Sequence, residues 1–158
     1  MRRSKPDGAD PAACERAALG LLARREHSRR ELERKLGARG FQDETIGATL
    51  DALEESGELA AARFTASFIR SRAAKGQGPA RIRAELAERG IDREQAAELL
   101  RAAGIDWAEI ASAVLAKRFG ARRPTDFRER ARQARFLEYR GFDSGQIGSA
   151  LRSGHDLD

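Results

Sequence analysis

Cysteine is nearly missing from this sequence: Cys14 stands alone among 158 residues. A single thiol excludes an intramolecular disulfide and any zinc cluster built on cysteine pairs, and it suits a reducing cytosol. Long apolar runs are missing as well. No stretch approaches the roughly 18 apolar residues of a membrane span, and the segment that follows Met1 to Pro11 is broken by Glu15 and Arg16 where a secretory leader would need an apolar centre. No membrane partner and a cytoplasmic location are therefore expected. Aromatic residues are few, with seven Phe, one Tyr and one Trp. So few large side chains argue against one thick core and favour small cores stacked along an elongated chain.

Catalytic and ligand-binding motifs are also scarce. The sequence holds no phosphate loop of the GxxxxGK[ST] kind, no HExxH and no GxSxG. His27 and His155 are isolated, so no catalytic residue, metal site or cofactor is expected. His27 adjoins Ser28, but a helix-capping role for Ser28, with Glu31 three residues on, explains the pair better than nucleophile activation does.

What the chain does have is charge. Thirty Lys and Arg against 25 Asp and Glu leave a net charge of +5 and a pI near 10.1, which favours a polyanionic partner such as nucleic acid or a nucleoprotein. It also has a repeat. GARGFQDETIGATL, AERGIDREQAAELL and EYRGFDSGQIGSAL share an Arg-Gly pair (Arg39-Gly40, Arg89-Gly90, Arg140-Gly141), then Phe41, Ile91 or Phe142, and later Leu50, Leu100 or Leu151. Each glycine, Gly40, Gly90 and Gly141, can take the left-handed backbone that ends a helix, and the apolar residue after it can fold back on the last turn. Asp92 with Gln95 and Asp143 with Gln146 have capping-box spacing for the next helix, while in the first copy Asp43 is expected to cap one residue later than Gln42.

Before each turn a short helix carries apolar residues four apart, Leu32 and Leu36, then Ile82 and Leu86; the third copy offers Phe136 and Leu137 less regularly. Further helices are expected over roughly Cys14 to Glu26, Ala60 to Lys75 and Trp107 to Phe119. The sum is an all-α protein of about nine helices in three tandem three-helix modules, 13–57, 58–104 and 105–153. Tails at 1–12 and 154–158 are expected to be flexible. Trp107 is expected to anchor packing near a helix start.

Charge is unevenly distributed. The stretch 59–84 contains no acid but includes Arg63, Arg70, Arg72, Lys75, Arg81 and Arg83. Helical spacing turns Phe64 and Phe68 inward and sends Arg63 and Arg70 outward. A solvated basic face is the plain alternative, but such faces usually mix signs, whereas one that excludes acids gains from an anionic partner. Lys117, Arg118, Arg122 and Arg123 form a shorter patch of the same type, and Arg24, Arg25, Arg29 and Arg30 a mixed one. In contrast, Asp43, Glu44, Asp51, Glu54 and Glu55 crowd the third helix of the first module. Phosphates would repel that helix from a major groove, so its helix-turn-helix outline is read as architecture, with the acids available to a protein partner.

ALGLLARREHSRRELERKLGARGF at 18–41, RFTASFIRSRAAKGQGPARIRAELAERGI at 63–91 and RQARFLEYRGFDSGQI at 132–147 together resemble the RecX family, over about Cys14 to Arg152. The resemblance implies an elongated, curved array of three-helix units that binds in the groove of the RecA filament on single-stranded DNA and damps ATP hydrolysis, strand exchange and co-protease activity. It also carries Arg70, Arg72, Lys75, Gly76, Gly78, Arg81 and Arg83 over as the family's basic central segment, with Arg25, Arg29 and Arg30 a second choice. One departure is that Ala61 and Ala62 stand where relatives often have acids, which weakens the expected helix cap. The protein is expected to be a monomer with weak direct binding to DNA of its own, and the competing expectation is a nucleic-acid-binding helical module that acts by competing for DNA.

Overall fold

A computed structural model describes residues 7–153. Among them are nine helices and no strand: α1 (Pro11–Arg24), α2 (Arg29–Ala38), α3 (Asp43–Glu55), α4 (Ala61–Ala74), α5 (Pro79–Glu88), α6 (Arg93–Ala102), α7 (Trp107–Phe119), α8 (Phe127–Tyr139) and α9 (Ser144–Arg152). They pack in consecutive threes, each around a core of its own. None is long and apolar enough to cross a membrane.

The turn between the second and third helix of each module follows one design. Gly40, Gly90 and Gly141 adopt φ of 96°, 78° and 98°. The N–H of the next residue then donates to a carbonyl one turn back in the helix: Phe41 to Leu36 at 3.2 Å, Ile91 to Leu86 at 3.0 Å and Phe142 to Leu137 at 3.1 Å. These bonds satisfy carbonyls that a helix end leaves open, and they swing the apolar residue into the core. Leu32, Leu36, Ile82, Leu86 and Leu137 are fully buried beneath the turns. Each such side chain contributes on the order of 1.5–3 kcal/mol by leaving water.

Helix starts differ in detail from the sequence expectation. Asp143 and Gln146 form the complete capping box, whereas Asp92 only accepts from the Gln95 N–H at 3.4 Å. Gln42, not Asp43, occupies the cap position of α3 and makes no side-chain cap bond there; its own N–H donates to the Gly8 carbonyl at 2.9 Å. That bond, with Asp10 capping α1 and Pro11 beginning it, corrects the inner end of the expected tail, because residues 7–12 belong to the first module. The outer part, 1–6, and the expected C-terminal tail at 154–158 lie outside the described residues. In α8 the buried pair is Gln133 and Leu137, with Phe136 only half-buried, so a glutamine replaces the leucine or isoleucine of the other modules. Ala60 caps α4 without a side-chain bond, as the missing acids at 61 and 62 predict.

Hydrogen bonds between modules join sequence neighbours among the described residues, and α5 takes part at both ends. At its C-terminus, Arg30 Nη1 donates to the Glu88 carbonyl at 3.0 Å. At its N-terminus, the N–H groups of Gly78 and Ala80 donate to the carbonyls of Arg140 and Gly141, at 2.8 and 3.0 Å. One helix start thus caps another helix's end. The approach is so close that a Cβ on Gly141 would lie 2.5 Å from Arg81 Cβ, and one on Gly78 would strike the Gly141 backbone.

His27 is buried at the start of the second helix, with Nδ1 3.0 Å from the Arg25 carbonyl and Nε2 3.0 Å from Lys35 Nζ. Donation from Nδ1 and acceptance at Nε2 require the neutral ring. Burial, reinforced by the charges of Arg25 and Lys35, holds its pKa below the ordinary 6.5. Ser28 Oγ accepts the Glu31 N–H at 3.1 Å and is a cap, as expected.

Two stability measurements follow. Gly40→Ala, where nothing lies within 4 Å of the new Cβ, is expected to cost about 1–2 kcal/mol for left-handed backbone alone. Gly141→Ala should cost a further ~1–3 kcal/mol for overpacking; equal losses in urea titrations would contradict the tight splice between the second and third modules. The unfolded chain takes up a proton on His27 that the folded site refuses, so stability should fall as pH drops through 6.5. The slope from this one group is at most about 1.4 kcal/mol per pH unit, and a His27→Gln variant lacking it should show a flatter profile between neutral and mildly acidic pH.

Candidate functional site

The acid-free stretch 59–84 runs along α4 and into α5. Phe64 is buried and Phe68 half-buried, with ring centroids 5.7 Å apart. Between them and the first module opens a cleft of about 610 Å³, walled by the α1–α2 turn, α2, α4 and the end of α5. Six cations line it, Arg25, Arg30, Arg34, Arg72, Lys75 and Arg89, against three carboxylates, Glu26, Glu31 and Glu88. A concave, partly apolar wall concentrates the field of such an excess.

Several of these cations are held in place. Arg72 and Arg89 bring their guanidinium carbons to 4.5 and 4.7 Å from the centre of the Phe68 ring, within cation–π range. Arg72 also pairs with Glu85 at 3.0 Å. Glu31 is nearly covered and sits between Arg25 at 2.8 Å and Arg89 at 3.7 Å. Arg34 and Lys75, both exposed, have no ion-pair or hydrogen-bond partner for their side chains among the described residues.

Of the nine cations expected at a contact surface, Arg25, Arg30, Arg72 and Lys75 thus meet in one cleft. The others go elsewhere. Arg29 is turned to the acidic face of α3, bonding Asp51 at 2.7 Å and Glu54 at 3.0 Å as well as Glu33 on its own helix at 3.0 Å. Its charged form is strengthened by those bonds, with Glu54 contributing most. Two acids expected to await a protein partner, Asp51 and Glu54, are therefore paired within the chain while staying exposed, whereas Asp43, Glu44 and Glu55 are exposed and form no ion pair among the described residues. Arg63 is likewise structural: it pairs with Glu26 and donates to the carbonyls of Gly57 and Glu58, tying the first module to the second. Arg81 lies at the other junction, 3.5 Å from Glu85 and over the Tyr139 ring. Arg70 and Arg83 are exposed outside the cleft.

Arg34 and Arg89 escaped the sequence reading. Arg34 follows Arg30 by one helical turn and shares its face, a signal that was available. Arg89 belongs to an Arg-Gly pair whose glycine explained the turn and left its arginine without a task. The shorter basic patch also divides. Lys117 and Arg118 line a second groove between the second and third modules. Arg123 turns inward, donating from Nε to the Ala150 carbonyl at 3.0 Å and from Nη2 to Ser112 Oγ at 2.6 Å, and burial weakens its hold on the proton. Trp107 begins α7 behind the Asp106 cap and packs against the second and third cores together, the anchor expected of it.

Comparison with known proteins follows the same three-part division. The family models "RecX, first three-helix domain", "RecX, second three-helix domain" and "RecX, third three-helix domain" match residues 14–53, 62–100 and 105–151. Among curated relatives, the regulatory protein RecX of Pseudomonas entomophila (strain L48) is 52% identical over 147 residues, covering 93% of this chain and 94% of its own. That of Pseudomonas putida (strain W619) is 51% identical over 148 residues, covering 94% of both. The crystal structure of RecX from Lactobacillus salivarius superposes with a TM-score of 0.75 at 21% identity, over 90% of this chain and 94% of that one, a likeness of fold. By the succession of its three domains and its identity to these relatives along nearly the whole length, the chain belongs to the RecX family of regulatory proteins.

Proposed function

We propose that this protein binds the RecA filament on single-stranded DNA and restrains RecA's recombinase, ATPase and co-protease activities in DNA repair and the SOS response, using the cleft between its first two modules. The observation that carries this reading is the excess of cations around that cleft, above all Arg34 and Lys75 with their charges unspent. Such charges seek phosphates or the acidic flank of a nucleoprotein. Modules in tandem suit a partner that is itself a repeating polymer. Restraint of this kind works by occupancy, so the protein acts as a cytoplasmic monomer without chemistry or cofactor of its own.

RecA-dependent ATP turnover on single-stranded DNA is the primary test. Added protein should lower it, and the pair Arg34→Glu and Lys75→Glu should relieve the inhibition while helix content by circular dichroism is unchanged; full inhibition by that variant removes the cleft from the reading. Arg29→Ala should behave in the opposite way. Losing its partly screened ion pairs costs about 1 kcal/mol, a fall in Tm of about 2–4 °C, with inhibition by the folded protein retained. Titration of naked single- and double-stranded DNA at two salt concentrations separates the competing reading, binding to DNA alone. If inhibition tracked that affinity in every variant, competition for DNA would replace filament binding. On single strands, a variant that neutralises one phosphate fewer should have a salt slope shallower by roughly 0.7.

A further inference from the structure

We infer that the groove between the second and third modules is a separate docking site for an acidic, amphipathic peptide segment of a protein partner, one that sets a bulky apolar side chain between carboxylates. The groove encloses about 630 Å³ between the end of α4, α7 and α8. Its floor is apolar, formed by Ile110, Val114 and Phe136, all half-buried on the flank of the third core. Ala74 and Ala113 are exposed at its wall, where short side chains leave the entrance open.

Charge complementarity identifies the occupant. Lys75, Lys117, Arg118 and Arg140 line this groove, and no carboxylate does. Among the described residues none of the four forms an ion pair. Arg140 spends one bond on the Lys75 carbonyl at 3.4 Å, and both arginines lie within 6.0 Å of the Phe136 ring centre. The first cleft has carboxylates of its own to balance part of its charge; this one is all cation. Like charges so placed repel one another until an anion enters.

Phosphate backbone would satisfy the cations and gain nothing from an apolar floor. Bases would need an open aromatic face, but Phe136 already carries two guanidinium groups and meets the Phe119 ring edge-on at 5.3 Å. A peptide segment with an apolar anchor and flanking Asp or Glu uses floor and rim together. Lys75 lines both grooves, but this site does not rest on the reading of the first cleft, because Ala113 and Lys117 belong to it alone.

The probe is a displayed library of random short peptides, selected on the full chain and counter-selected on an Ala113→Glu variant, which places a carboxylate in the groove one turn before Lys117. Enriched peptides should be acidic around a large apolar residue. By fluorescence anisotropy they should bind at least about tenfold more weakly to Lys117→Glu, a difference of ~1.4 kcal/mol, and circular dichroism should show both variants folded. Enrichment of basic or uncharged peptides, or of none that distinguishes the variants, would overturn the site. So would a labelled oligothymidylate whose binding shows the same loss in Lys117→Glu, since the occupant would then be nucleic acid. Self-association in sedimentation that Ala113→Glu abolishes would equally reject it in favour of a second copy.

Discussion

Every module depends on a backbone that reverses in a single residue. Were the glycine after α2, α5 or α8 to lose its positive φ, the N–H of Phe41, Ile91 or Phe142 would no longer reach the helix it has just left, and the apolar side chain would lose its route into the core. Because each core is small, little else could substitute for that side chain. The local turn and the burial beneath it are one event, repeated three times, and the tandem architecture follows from the repetition.

Charge in this protein performs two tasks that its sequence does not distinguish. Some arginines are fasteners: Arg29 draws α2 to α3, Arg63 ties the first module to the second, and Arg123 pins the loop before α8 to α7 and α9. Others are display. Arg34, Lys75 and Lys117 extend from concave surfaces with no ion pair among the described residues. A basic isoelectric point counts the two kinds alike, yet only the second is left without a compensating carboxylate among the described residues. Sorting them requires knowing where the acids go, which is a property of the folded chain.

That distinction explains what was legible beforehand. The helices, the three turns and the caps at Ser28, Asp92 and Asp143 follow from short-range rules, and the pattern around Gly40, Gly90 and Gly141 showed the turns directly, whereas the caps at Asp10, Asp106 and Asp126 went unread. The core position taken by Gln133 was hidden, because hydrophobic periodicity passes over a buried amide and settles on Phe136 instead. The cleft was legible in part. Arg72 and Lys75 stood in a conspicuous acid-free run, but their assembly with Arg25, Arg30, Arg34 and Arg89 depends on how two modules meet, and the pairing of Arg29 was hidden because its partners Asp51 and Glu54 are remote in sequence. Local order can be read from neighbours, whereas a surface between modules belongs to tertiary geometry.

The position of α5 carries a mechanical consequence. Its tail is gripped by Arg30 of the first module and its head abuts the end of α8 in the third, with no space at Gly78 or Gly141 to absorb displacement. Such a helix is a tie rod. A displacement at either end of these ten residues is passed on to the module at the other end, alongside the separate ties that Arg63 makes between the first two modules and Arg140 between the last two.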